Sequence, residues 1–209
     1  MKCSSFKKES IFTIICILLY FLLVISANFL SNNVVKVPNS FNALFEILFP
    51  VGILIYLKKK GLLSYYGFNS LKKLNYKGLL FCIPMLVISF ANLCFGVYLN
   101  YSVLQTILIV IAMIGVGFSE EILFRSFLIN TISQKNKKMA ILLPSIIFGV
   151  LHLFNLVGGA DLFATLLQVV YAFFFALMCS LFYIKTQNII PCMICHAAVD
   201  VTDIFMISD

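Results

Sequence analysis

Charge is scarce in this chain: 11% of its residues are Asp, Glu, Lys or Arg, and histidine occurs only at His152 and His196. So few charges exclude the solvated surface of an ordinary soluble domain. Internal repeats, low-complexity tracts and long linkers are also lacking, which leaves no sequence basis for a modular organisation. What fills the chain instead is apolar: 62% hydrophobic residues and a mean hydropathy of +1.07. These residues come in runs of membrane-spanning length. The expected fold class is all-α, a polytopic transmembrane helix bundle of about seven membrane-spanning helices, forming a single integral membrane domain over 1–209.

The seven runs are 11–30, 41–57, 78–99, 101–118, 140–156, 162–184 and 188–207. The net charge of +7 comes from lysines in the short connections between them, so it marks the cytoplasmic side rather than a nucleic-acid surface. With the amino terminus cytoplasmic, Lys2, Lys7, Lys8, Lys58, Lys59, Lys60, Lys72, Lys73, Lys77, Arg125, Lys135, Lys137, Lys138 and Lys185 all fall inside, and only Lys36 of the 15 basic residues falls outside. The first run follows Lys2, Lys7 and Lys8 like a signal peptide, but its length and the spans that follow favour an uncleaved anchor.

Seven cysteines, Cys3, Cys16, Cys82, Cys94, Cys179, Cys192 and Cys195, are scattered mostly through the apolar runs, where a free thiol packs as a small hydrophobe. Cys192-Met193-Ile194-Cys195-His196 has the spacing of a haem-attachment motif. Its position at the cytoplasmic start of a span argues against that chemistry, which needs the oxidising side.

The polar residues that do enter the apolar runs form three short motifs. A charge near the bilayer centre costs about 2.5 to 3.5 kcal/mol even on lenient scales, so each needs a reason. In Glu120-Glu121-Ile122-Leu123-Phe124-Arg125, Arg125 lies one helical turn beyond Glu121 and can neutralise it. Glu120 is rotated by about 100° and stays available as a base. The second motif is Phe148-Gly149-Val150-Leu151-His152, and the third is His196-Ala197-Ala198-Val199-Asp200, whose imidazole and carboxylate share a helix face. Counted from the cytoplasmic helix ends, His152 and Asp200 lie ~18 Å deep, His196 ~12 Å and Glu120 ~20 Å, so the motifs can share one layer toward the cytoplasmic half. That count requires the helix carrying Glu120 to continue through Ser119 despite Gly115 and Gly117.

In order and spacing, the three motifs resemble those of the CAAX protease and bacteriocin-processing (CPBP, Abi) family of intramembrane proteases, whose pattern is Glu-Glu-x-x-x-Arg, Phe-x-x-x-His and His-x-x-x-Asn or Asp. The resemblance spans Ser119 to Asp200, within a protease-like core of about 101–207. It implies a CPBP-type endopeptidase, glutamate-dependent or metallo-type, acting on a membrane-associated, prenylated or precursor peptide reached from the cytosolic side. The expected catalytic residues are Glu120, His152, His196 and Asp200, supported by Glu121, Arg125 and Phe148. Glu120 and His152 would activate water, and His196, held by Asp200, would stabilise the oxyanion. The same four catalytic residues are a donor set that zinc accepts, although no His-Glu-x-x-His helix is present and an obligatory metal is not favoured. The expected partners are peptide substrate and membrane lipid, without nucleic acid, in a multi-pass protein of a bacterial cell membrane.

Two other classes compete with the enzyme. One is a non-catalytic bacteriocin immunity protein. The other is a transporter or proton relay, for which Glu46, an acid four residues before Pro50 inside the second run, is the best support. No symmetric pair of broken helices accompanies it.

Overall fold

The computed structural model describes residues 6–71, 74 and 76–206, without the side chains of Tyr76, Lys77 and Leu79. Lys2, Cys3, Lys72, Lys73 and the end of the last expected span at Ile207 lie outside the described residues. Among the described residues the chain is all helical, and seven rods follow one another: α1 (Phe6–Val35), α2 (Ser40–Lys60), α3 (Tyr76–Ser89), α4 (Val103–Ser133), α5 (Lys137–Gly158), α6 (Leu162–Thr186) and α7 (Ile190–Ile204). This is a helical bundle of an integral multi-pass membrane protein.

Five of the rods, α1, α2, α4, α5 and α6, are long and apolar enough to cross a membrane. The expected third span is divided, because α3 ends at Ser89 and a 3-10 segment, Ala91–Phe95, follows. The last rod is short for a span, with 15 residues, and it carries His196, Asp200, Thr202 and Asp203 on its length. The fourth rod shows the opposite departure. It does not stop at Phe118 but runs unbroken past Gly115, Gly117 and Ser119 to Ser133, with a π-helical stretch at Ile122–Leu128. The glycines serve packing rather than termination. A Cβ on Gly115 would lie 2.5 Å from the backbone of Glu46 in α2, and one on Gly117 would lie 2.7 Å from the amide of Ala197 in α7. Small residues thus let both neighbours approach α4 closely.

Local chemistry sets the helix ends. Gly61, at φ +66°, closes α2 by donating to Lys58 O while Leu62 donates to Leu57 O, and Lys58, Lys59 and Lys60 sit at the negative end of the helix dipole. Asn136 caps α5 by accepting from Lys138 N and Met139 N, and Asp161 caps α6 by accepting from Ala164 N. The core gathers around α4, where Ile122, Leu123, Phe124 and Phe127 are buried with Leu57, Phe148 and Tyr183. Large apolar side chains such as Leu22, Val103, Val157 and Phe163 face outward, as a bundle in lipid requires.

The two poles of the bundle differ. One carries Lys7, Lys8, Lys58, Lys59, Lys60, Lys135, Lys137, Lys138 and Lys185 at the ends of α1, α2, α4, α5 and α6. The other carries Lys36, Asp161 and the end of α7. Arg125 belongs to neither: it is fully buried within the bundle, not at a cytoplasmic surface, because its partners lie on α4 itself and on α5.

Candidate active site

His196 is the centre of the site. Its Nδ1 lies 2.9 Å from Glu121 Oε1, while Nε2 lies 3.5 Å from Asp200 Oδ2 and 3.8 Å from Glu120 Oε2. Gly117 makes this possible by bringing α7 against α4 at Ala197, directly beside the histidine. Two aromatic rings hold the imidazole edge-on, Phe148 from α5 and Phe175 from α6, each with its centroid 5.5 Å away.

The two adjacent glutamates have different surroundings. Glu121 is fully buried and shares Oε1 between His196 and Arg125, whose NH1 is 3.2 Å away. The guanidinium also stacks 4.4 Å from the centre of the Phe148 ring, so one aromatic links Arg125 to His196. Glu120 keeps 24% of its side chain exposed, against none for Glu121. The carboxylate expected to be free is therefore the accessible one. The tighter hold on His196 comes from Glu121 rather than from Asp200, which had been expected to orient the ring. Helical spacing puts Asp200 on the same face, but the contact across from α4 is shorter.

His152 begins the 3-10 segment that ends α5, and its Nδ1 pairs with Phe148 O at 3.0 Å. That bond turns Nε2 toward open space. A cavity of about 510 Å³ is lined by His152, His196, Asp200 and Phe148 together with Tyr171 and Asp203. Glu120 and Glu121 stand behind His196 rather than among the lining residues. The three motifs thus meet in one place, with Glu46 on its far side, where Tyr20 donates to Glu46 Oε1 at 3.3 Å. Phe175, Tyr171 and Asp203 escaped the sequence reading; an extra phenylalanine among 22 carries no signal of its own.

The lining of the cavity includes residues near the pole opposite the lysines. Ala160, Ala164, Leu167, Gln168 and Asp203 form its exposed wall, and they lie where α6 begins and α7 ends.

Zinc fits the four expected donors poorly in this arrangement. No three of Glu120, His152, His196 and Asp200 bring ligand atoms within 4.8 Å of one another, whereas Glu121, Cys179 and Cys192 do. Glu121 is already engaged by Arg125 and His196, so that buried triple is not a free donor set.

The family model for Rce1-like type II CAAX prenyl endopeptidases matches residues 102–202, a segment that holds all seven residues named from the motifs. No curated protein and no solved structure matches the chain significantly. Over residues 102–202 the chain is similar to the Rce1-like type II CAAX prenyl endopeptidases, in agreement with the motif resemblance.

Proposed function

We infer that the protein is an intramembrane endopeptidase that hydrolyses a membrane-associated peptide with a water activated by Glu120 and His152. The observation that carries this reading is the clamping of His196 on a cavity wall, Nδ1 against Glu121 and Nε2 between Asp200 and Glu120. Glu120, the exposed member of the glutamate pair, accepts a proton from water, and His152 Nε2 holds that water in line. The hydroxide adds to the scissile carbonyl. The carbonyl electron pair moves to oxygen, and protonated Nε2 of His196 donates to this oxyanion. Collapse of the tetrahedral intermediate breaks the C–N bond, and Glu120 returns the proton to the leaving amine. Asp200, ionised, can only accept a hydrogen bond, so its part is to stabilise the positive charge on His196 rather than to donate to the oxyanion. Glu121, Arg125 and Phe148 fix the ring.

Quantitative peptide proteomics on a deletion strain complemented with wild type or Glu120→Ala tests this. A precursor left uncleaved in the deletion and the variant, but processed with wild type, is the expected result. Full restoration by Glu120→Ala would replace the enzyme by an immunity or interaction protein.

A further inference from the structure

Glu46 has no part in the chemistry above, yet it is an acid at 4% exposure inside the bundle. Burying a carboxylate without a cation is costly, and among the described residues no lysine, arginine or histidine forms an ion pair with it. Two local features set its place. Pro50 has no N–H, so the carbonyl of Glu46 lacks its usual helical donor. Gly115 lets α4 come against that same backbone, since a Cβ there would stand 2.5 Å from the Glu46 carbonyl. Side chains of α2 and α4 are thereby pressed together at this height.

The two carboxyl oxygens of Glu46 have different surroundings. Oε1 accepts from Tyr20 of α1 at 3.3 Å. Oε2 is buried and has no partner of hydrogen-bond geometry among the described residues. Ser119 stands one helical turn beyond Gly115, on the α4 face that meets α2, and its hydroxyl is a second buried polar atom without such a partner. Ser119 and the Glu46 carboxyl act on each other at longer range, so a small side-chain rotation joins them. Buried polar atoms are rarely left unpaired, and these two complete each other.

The groups facing Glu46 decide which of them donates. Tyr20 faces it from α1, Glu120 from α4 and Asp200 from α7, with Glu120 acting on it more strongly than Asp200. An ionised Glu46 would add a third negative charge around the single His196. Glu120, by contrast, has His196 Nε2 3.8 Å away and keeps 24% of its side chain exposed. Between two acids so placed, the charge settles on the one with a cation and solvent, and the proton on the buried one. A neutral acid can donate where a carboxylate can only accept.

We propose that Glu46 is a positioning residue for the catalytic glutamate: as the neutral acid it donates through the Ser119 hydroxyl toward Glu120, and it leaves Glu120 as the ionised carboxylate of the pair. The catalytic consequence rests on the endopeptidase reading above; the pairing of the two acids does not.

Infrared difference spectra of the purified protein in detergent, wild type against each variant, read both carboxyls without any substrate. The expected spectra show a carboxylic acid C=O band at neutral pH that Glu46→Gln removes, and a carboxylate band that Glu120→Gln removes. Ser119→Ala and Glu46→Leu should move the titration of the Glu120 band to higher pH by about one unit, the size of one lost hydrogen bond to a charged group. Glu46→Gln keeps a neutral donor and should leave that titration in place. Tyr20→Phe removes the tie between α1 and α2 but not the donor, and should leave it in place too. A shift in Tyr20→Phe equal to that in Glu46→Leu would reduce Glu46 to helix packing and overturn the proposal. Loss of a carboxylate band in Glu46→Gln, or an unmoved Glu120 titration in both Ser119→Ala and Glu46→Leu, would overturn it as well. With a precursor from the proteomic comparison, Glu46→Gln should restore cleavage, while Glu46→Leu leaves it about tenfold slower at neutral pH and recovers at higher pH, as a merely structural fault would not. Equal loss of cleavage in both variants overturns the proposal. A comparison in which no precursor separates wild type from Glu120→Ala removes the endopeptidase reading alone, because the infrared spectra decide the pairing without substrate.

Discussion

Adjacent glutamates in one helix face different directions, and here the difference separates structure from chemistry. Glu121 neutralises a fully buried arginine, while Glu120 retains contact with solvent. Glu120→Gln keeps the volume and removes the base, so peptide hydrolysis should fall by about 100-fold or more while the unfolding midpoint in detergent stays at the wild-type value. Glu121→Gln should behave differently. It leaves Arg125 buried without its counter-charge, a change that destabilises by about 3 to 5 kcal/mol, read as a lower midpoint in denaturant or heat. Equal effects of the two variants on stability would contradict the division of roles. At this scale the sequence was informative because a helix rotates successive side chains by about 100°, so the pairing of Glu121 with Arg125 followed from spacing alone. The hold of Glu121 on His196 did not, since 75 positions separate them and only helix packing brings them to 2.9 Å.

At the scale of elements, the site depends on how closely α7 approaches α4. Gly117→Ala places a methyl group 2.7 Å from Ala197 N, so the helices must part and His196 shifts away from Glu121. A displacement of about 1 Å is enough to cost on the order of 100-fold in rate, and single-turnover hydrolysis should fall accordingly. Gly158→Ala, with open space around the added methyl, is the matching control and should retain wild-type turnover. Gly115 and Gly117 left open in the sequence whether the helix carrying Glu120 continues past Ser119, and it does. Glycine weakens a helix in isolation, yet inside a membrane its small size lets a neighbour pack against it and no water competes for the backbone. The short α7 was read as a longer span for the opposite reason: its apolar residues count toward hydropathy, while the polar face that lines the cavity is visible only once the partners of α7 are in place.

At the scale of the whole molecule, the candidate site is assembled from side chains of four rods, α4, α5, α6 and α7. Metal dependence belongs to this scale, because it turns on whether side chains from α4, α5 and α7 converge. Their donors do not gather within 4.8 Å as a triple, so incubation with a chelator should leave hydrolysis by the purified protein unchanged, as measured against an untreated sample. Loss of activity with recovery on adding zinc would show that the helices move together in the working state. The segment that follows α2 makes a second prediction of this kind. Asn69→Ala removes the donor to Gln187 O and should loosen this segment, seen as faster amide exchange over residues 61–71, with a cost of about 1 kcal/mol in stability.

Composition and pattern by themselves determined that this is a helical membrane protein, roughly where most of its rods run and which pole carries the positive charge, and they pointed to three motifs whose residues stand close together in the structure. These properties are local: they follow from hydropathy summed over a run, from loop charge and from the angular repeat of a helix. Tertiary structure alone decided that Glu121 rather than Asp200 lies closest to His196, that Phe175 completes its cage, and that α4 continues past its glycines. Each of these depends on contacts between residues far apart in the chain, whose geometry is set by which helix faces meet, and no spacing along one helix encodes that.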